Sequence, residues 1–232
     1  MNRYFSPPVT PPFFILLLLL FLIFFTIFSS LVTVAFQRLG IPPSVAYLLF
    51  LFSILGSFIN IPVAEKRSYA PVLTVREVRF FGVSYPVPYV QLAEQKVIIA
   101  VNAGGALVPL SVVVYEFVHL LELNAYLTVI KVTLGIALSA VISHAFSRPV
   151  RGLGIAVPTL IPPLMAALSA LLLGGPYKPA IAYASGTLGV LIGADLMNLQ
   201  HMKELGAPMV SIGGAGTFDG IFLAGVIAVL LV

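Results

Sequence analysis

Two carboxylates set in apolar sequence carry the most chemistry. Asp195 lies in Gly193-Ala194-Asp195-Leu196-Met197-Asn198, and Asp219 follows Gly213-Gly214-Ala215-Gly216-Thr217-Phe218. An Asp within hydrocarbon costs about 2.5–3.5 kcal/mol on insertion scales, and such acids usually serve a function. Two carboxylates held close cannot both ionise readily, so they share a proton; one can then take a proton from water while the other donates to a carbonyl. The same pair can instead hold a proton or cation in transit. Each acid can also stay neutral and fasten helices through Asn198, Ser211 or Thr217. The residue types leave these three readings open.

Other polar and small residues cluster in sequence near the acids. Asn102, Gly104 and Gly105 open one apolar run, Asn198 follows Asp195, and Gly213, Gly214, Gly216 and Thr217 precede Asp219. These are the candidate substrate-binding positions. His144 and Arg148, four apart on one helix face, stand with Arg151 as a candidate anion or lipid-phosphate contact, or as a marker of the inner face. Glu116 and His119 share a helix face, but with three His in the chain and no second Glu-x-x-His, a structural hydrogen bond is expected there rather than a di-metal site. With no Cys and no metalloprotease, phosphate-loop or serine-nucleophile motif, neither metal nor cofactor is expected.

The elements that must position these residues are apolar. Of 232 residues, 60% are hydrophobic and 9% charged, with a mean hydropathy of +1.11. Soluble domains carry about 25% charged residues, so a soluble enzyme, a disordered tail and a nucleic-acid module are excluded. A spanning helix needs about 20 mostly apolar residues. Apolar runs cover residues 13–36, 44–64, 97–121, 125–145, 152–173, 180–199 and 209–232. They predict an all-α polytopic membrane protein of about seven transmembrane helices forming a single membrane domain over 1–232. Residues 65–96, rich in Val, Tyr and charge with Pro86 and Pro88 between, predict a small cytoplasmic β-hairpin between spans two and three.

Basic residues set orientation. One side of this topology holds nine (Arg3, Lys66, Arg67, Arg76, Arg79, Lys96, Arg148, Arg151 and Lys203) and the other three (Arg38, Lys131 and Lys178). The chain is expected in the cell membrane with its N-terminus cytoplasmic and its C-terminus outside. Asn102, Asp195, Asn198 and Asp219 then all fall in the cytoplasmic half. Asp195 would lie roughly 7–8 Å deep at 1.5 Å per residue. Small residues spaced by four, Ser185, Gly189 and Gly193, then Gly216, Gly220 and Ala224, predict close helix contacts. The segment 101–106 also matches 210–215 in four of six positions, a parallel repeat.

The motifs Ser147-Arg148-Pro149, Gly152-Leu153-Gly154, Gly193-Ala194-Asp195-Leu196-Met197-Asn198 and Gly213-Gly214-Ala215-Gly216-Thr217-Phe218-Asp219 resemble an archaeal and bacterial membrane-protein family known only as a domain of unknown function. The resemblance covers most of the chain from Asn102 onward and implies no activity. In layout the chain is also similar to presenilin-type intramembrane aspartyl proteases, which carry one Asp on a sixth span and one on a seventh. That similarity implies Asp195 and Asp219 as catalytic residues and transmembrane helices as substrates. The chain departs from that family by placing two residues between Gly216 and Asp219, by Ala194 rather than Tyr before the first acid, and by having no Pro-Ala-Leu after the last span. The alternatives are a proton- or cation-coupled small-solute transporter with spans three and seven broken at glycine, for which a homo-oligomer is expected, and an assembly protein that binds a partner through the hairpin.

Overall fold

The computed structural model describes residues 11–150, 154–199, 209–214 and 220–232. Helix α1 (Pro11–Arg38) opens with an almost unbroken Leu, Phe and Ile run, and its first half is exposed on all sides. An exposed apolar surface of that size marks a membrane or protein contact, and the length of the run fits a membrane span. Its last turns enter the protein, where Val32, Ala35 and Phe36 are buried. Helix α2 (Pro43–Gly56) follows a turn at Gly40 and starts on a proline, which needs no hydrogen-bonded N–H at that position.

Strands β1 (Asn60–Phe80) and β2 (Val83–Asn102) then form one antiparallel hairpin. Its two-residue turn, Phe81-Gly82, has both residues at positive φ, +49° and +82°, the backbone that matches strand twist. At about 3.4 Å per residue, the 21 residues of β1 extend roughly 70 Å. A π turn (Ala103–Leu107) leads into α3 (Val108–Glu122), then α4 (Tyr126–Phe146). Short strands β3 (Arg148–Val150) and β4 (Gly154–Ala156) pair antiparallel before α5 (Ile161–Leu173) and α6 (Lys178–Val190). A second π turn (Leu191–Leu196) extends α6. Strand β5 (Met209–Ile212) adds to β2 in parallel, and α7 (Gly220–Leu230) completes the described chain.

The all-α expectation of seven spans is therefore corrected. Among the described residues there are five strands in two sheets. Among the same residues four helices are long and apolar enough to cross a membrane: Pro12–Arg38, Ala103–Glu122, Tyr126–Phe146 and Lys178–Leu196. The second, fifth and seventh apolar runs yield helices of 14, 13 and 11 residues, about 17–21 Å long and short of a bilayer core of about 30 Å. Each has a local reason. The second run ends its helix at Gly56 and continues as β1 from Asn60. In the fifth, Pro158 and Pro162-Pro163 delay the helix to Ile161, because proline tolerates only the first helical turn. In the third and seventh, β-branched Ile98, Ile99 and Val101 pair with Met209, Val210 and Ile212 as a parallel ladder. An apolar run fixes burial, not period, so a buried strand and a helix look alike at that length. The hairpin runs from 60 to 102, longer than the 65–96 expected from charge.

Helix α6 is the central post, with 10 of its 13 residues buried. Glycine lets its neighbours approach: a side-chain carbon at Gly189 would collide with Ser139, and one at Gly193 with the Ala140 carbonyl, both on α4. On the other side Gly186 meets Ala224 of α7. Phe36, Tyr183 and Phe222 join α1, α6 and α7 through edge-to-face ring contacts of 5.7 and 6.0 Å. At Gly220 an added carbon would meet nothing within 4 Å among the described residues, so the second small-residue stripe makes no contact with them there.

Candidate functional site

The site is built where two strands end and two helices lose their regular hydrogen bonding. β2 and β5 run side by side in the same direction, Val101 opposite Ile212. Each is followed closely by glycines: Gly104-Gly105 one residue after β2 and Gly213-Gly214 directly after β5. The two segments matched in sequence thus become neighbours, although the ladder places Val210 opposite Ile99 rather than Val101.

Asn102 organises the first segment. Its Oδ1 accepts the Gly105 N–H at 2.8 Å, capping the helix start. Its Nδ2 donates to the Ser57 carbonyl at 2.7 Å and to Asn60 Oδ1 at 3.0 Å. The same Asn60 oxygen accepts Ser211 Oγ at 2.6 Å, so one side chain ties β2 to β5. Gly104 is pressed against the α2 backbone at Ser53, whose Oγ donates to the Gly104 carbonyl at 2.8 Å. Any larger residue at 104 would separate α2 from the π turn.

Asp195 belongs to the second π turn, and its Oδ2 accepts the Gly213 N–H at 2.8 Å. Gly213 and Gly214 have φ of +82° and +102°, open to glycine but costly to other residues. A π turn closes its hydrogen bonds over five residues rather than the four of an α-helix and so re-aims the side chains beyond it; such turns recur at functional sites. Here it turns the half-buried Asp195 toward the end of β5.

Asn198 locks the end of α6 to α4. Its Nδ2 lies 3.0 and 2.9 Å from the Gly193 and Ala194 carbonyls, 2.8 Å from Ser147 Oγ and 3.2 Å from His144 Nδ1. Ser147 Oγ in turn donates to the His144 carbonyl at 2.7 Å. An amide has two N–H groups to share among these acceptors. The carbonyls freed by the π turn are thereby satisfied inside the protein.

Among the sequence candidates, the structure brings together Asp195 with Gly213, Asn102 with Gly105, and Asn198 with His144. The amides of Asn102 and Asn198 are bonded within the protein. Arg148 is exposed on β3. Asp219, Gly216, Thr217 and Arg151 lie outside the described residues. Among the described residues, no three His, Asp or Glu side chains form a metal-holding group. Sequence reasoning missed Asn60 and Ser53, and singled out Ser147 only as part of a family motif. Asn60 follows a helix like any loop asparagine; only its partnership with Asn102 and Ser211 sets it apart.

A family model described as a protein of unknown function, DUF1614, matches residues 54–231. No curated protein and no solved structure matches the chain.

Proposed function

The chain belongs to the DUF1614 family, proteins of unknown function that here form a membrane protein, and from that premise we propose that it is a membrane-embedded aspartyl endopeptidase with Asp195 and Asp219 as its catalytic pair. The observation that carries this reading is the Asp195–Gly213 hydrogen bond. It fastens the first acid to the strand end whose continuation, six residues on, is the second. The flanking residues agree: Ala194, beside Asp195, and Ile221, two residues after Asp219, belong to one apolar cluster with Leu191 and Ile212.

In this mechanism the ionised acid takes a proton from water, and the water oxygen attacks the scissile carbonyl. The protonated acid hydrogen-bonds that carbonyl and passes its proton to the oxygen. Collapse of the tetrahedral adduct breaks the C–N bond, and the departing amine receives the proton that the first acid took. Substrate enters as extended chain. β5 pairs with β2 on one edge, and its other edge has no strand partner among the described residues, so a substrate strand can add there with its backbone beside Asp195. The bias of nine basic residues against three supports a cytoplasmic position for this end.

The test is purified protein with a set of transmembrane-helix substrates. Cleavage by the parent and its loss in both Asp195→Asn and Asp219→Asn supports the pair; cleavage that survives both substitutions removes it.

A second reading, a proton- or cation-coupled solute transporter, is favoured by one observation. The two strand–Gly-Gly segments are adjacent and parallel, and both break the backbone where helix ends could bind a solute or ion. Solute uptake in proteoliposomes that responds to pH or cation and falls with Asp195→Asn would favour it over proteolysis.

A further inference from the structure

The end of the bundle away from Asp195 holds a cleft of about 220 Å³ that the proposed hydrolysis does not use. Three membrane-length helices meet this level: one ends at Arg38, one ends at Glu122, and one begins at Lys178. The walls include Arg38, Gly40, Glu116, His119, Tyr177 and Ala180.

Glu116 is the unusual member. It is only 4% exposed, and its Oε1 has no hydrogen-bond partner among the described residues. A buried carboxylate in that condition loses hydration without replacement, so a donor supplied from the cleft would relieve it. His119, one turn further on, offers a second polar group, its ring stacked on Tyr115.

The other wall has the opposite sign. Arg38 Nη1 donates to the carbonyls of Val229 and Leu230, at 3.1 and 3.4 Å. A guanidinium has five N–H donors, so these two bonds do not exhaust it. Beside it α6 begins, and its N-cap Tyr177 makes no side-chain capping bond. The first N–H groups of that helix carry partial positive charge. A plain cation would meet Arg38, and a plain anion would meet Glu116.

We propose that this cleft binds a small zwitterion, its ammonium on Glu116 and His119 and its acid group on Arg38 and the start of α6. The volume lies below the ~300–1,000 Å³ of drug-sized pockets, which limits the occupant to a headgroup or a small metabolite. A phosphoethanolamine lipid headgroup and a free amino acid share this chemistry. The position at the helix ends puts the cleft at headgroup level.

The experiment uses the full chain in nanodiscs of phosphatidylglycerol, which lacks an ammonium, with and without phosphatidylethanolamine. Native mass spectrometry counts retained lipid, and titration with O-phosphoethanolamine or glycine tests free ligands. The expected result is at least tenfold preference for the ethanolamine lipid, lost in Glu116→Gln and weakened in His119→Gln. Binding of a free zwitterion with the same dependence on Glu116 supports the cleft and assigns it to a soluble ligand. No preference in either arm, or a preference that persists in Glu116→Gln, overturns the proposal. If Glu116→Gln does not fold, His119→Gln decides: unchanged binding overturns it. The readout is binding, so its failure is separable from failure to cleave.

Discussion

The two ends of the helical bundle solve the problem of buried polar groups in opposite ways. At the Asp195 end the backbone is broken twice, yet its amides and its acid are engaged: Asn102 with Asn60 and Gly105, Ser211 with Asn60, Asp195 with Gly213, Asn198 with Ser147 and His144; the buried Ser143 hydroxyl is the exception among the described residues. At the other end the helices stay regular and cations close their carbonyl ends, Arg38 on α7 and Lys131 on Gly174 at 3.3 Å. There Glu116 keeps an oxygen without a partner among the described residues. A largely partnered network is preorganised and suits chemistry. An incomplete one suits a ligand that completes it.

The comparison breaks most easily at the acids. Asp195→Asn and Asp219→Asn should each lower peptide cleavage by about 10²–10⁴-fold, the usual contribution of a positioned acid or base. Glu116→Gln should leave the cleavage rate within error. Equal losses in all three would erase the distinction between the ends.

The next largest effect is expected from Asn198→Leu. It removes the tie between α6 and α4 and strands buried partners, which costs about 1–3 kcal/mol. Thermal unfolding in detergent should show the lower midpoint, and the loss should exceed that of His144→Leu, which leaves Asn198 its other acceptors.

Gly213→Ala sharpens the comparison by testing backbone rather than side chain. Holding alanine at positive φ costs about 1–2 kcal/mol, and its methyl would also strike Ala106. Cleavage and thermal midpoint should fall together. Gly220→Ala, where no described residue lies within 4 Å of an added carbon, should change neither.

The smallest effect belongs to Arg38→Gln. Losing a cation at a helix C-terminus costs about 0.3–1 kcal/mol, so the thermal midpoint should move slightly and cleavage not at all.

Membrane character was legible in the sequence because 60% hydrophobic residues admit no other fate. The number of crossings was not. Hydropathy counts Ile98–Val101 and Val210–Ile212 as helix, and only their pairing reveals strands. Asp195 and the paired glycines were legible because charge and lost helix propensity are costly in such surroundings. Asn60 and Ser147 were not, since their roles depend on partners 42 and 51 residues away. Spacing predicts a hydrogen-bonded Glu116; its unpartnered oxygen is a property of the packed helices, invisible to spacing.

The most direct measurement asks whether the two acids form one centre. The chain has no Cys, so Asp195→Cys with Asp219→Cys can be treated with a short bifunctional thiol reagent in native membranes. Val101→Cys with Ile212→Cys, opposite each other in the ladder, serves as the positive control. A shared catalytic centre predicts intramolecular linkage of the 195–219 pair to an extent comparable with the control. Efficient linkage of the control with none at 195–219 would contradict it.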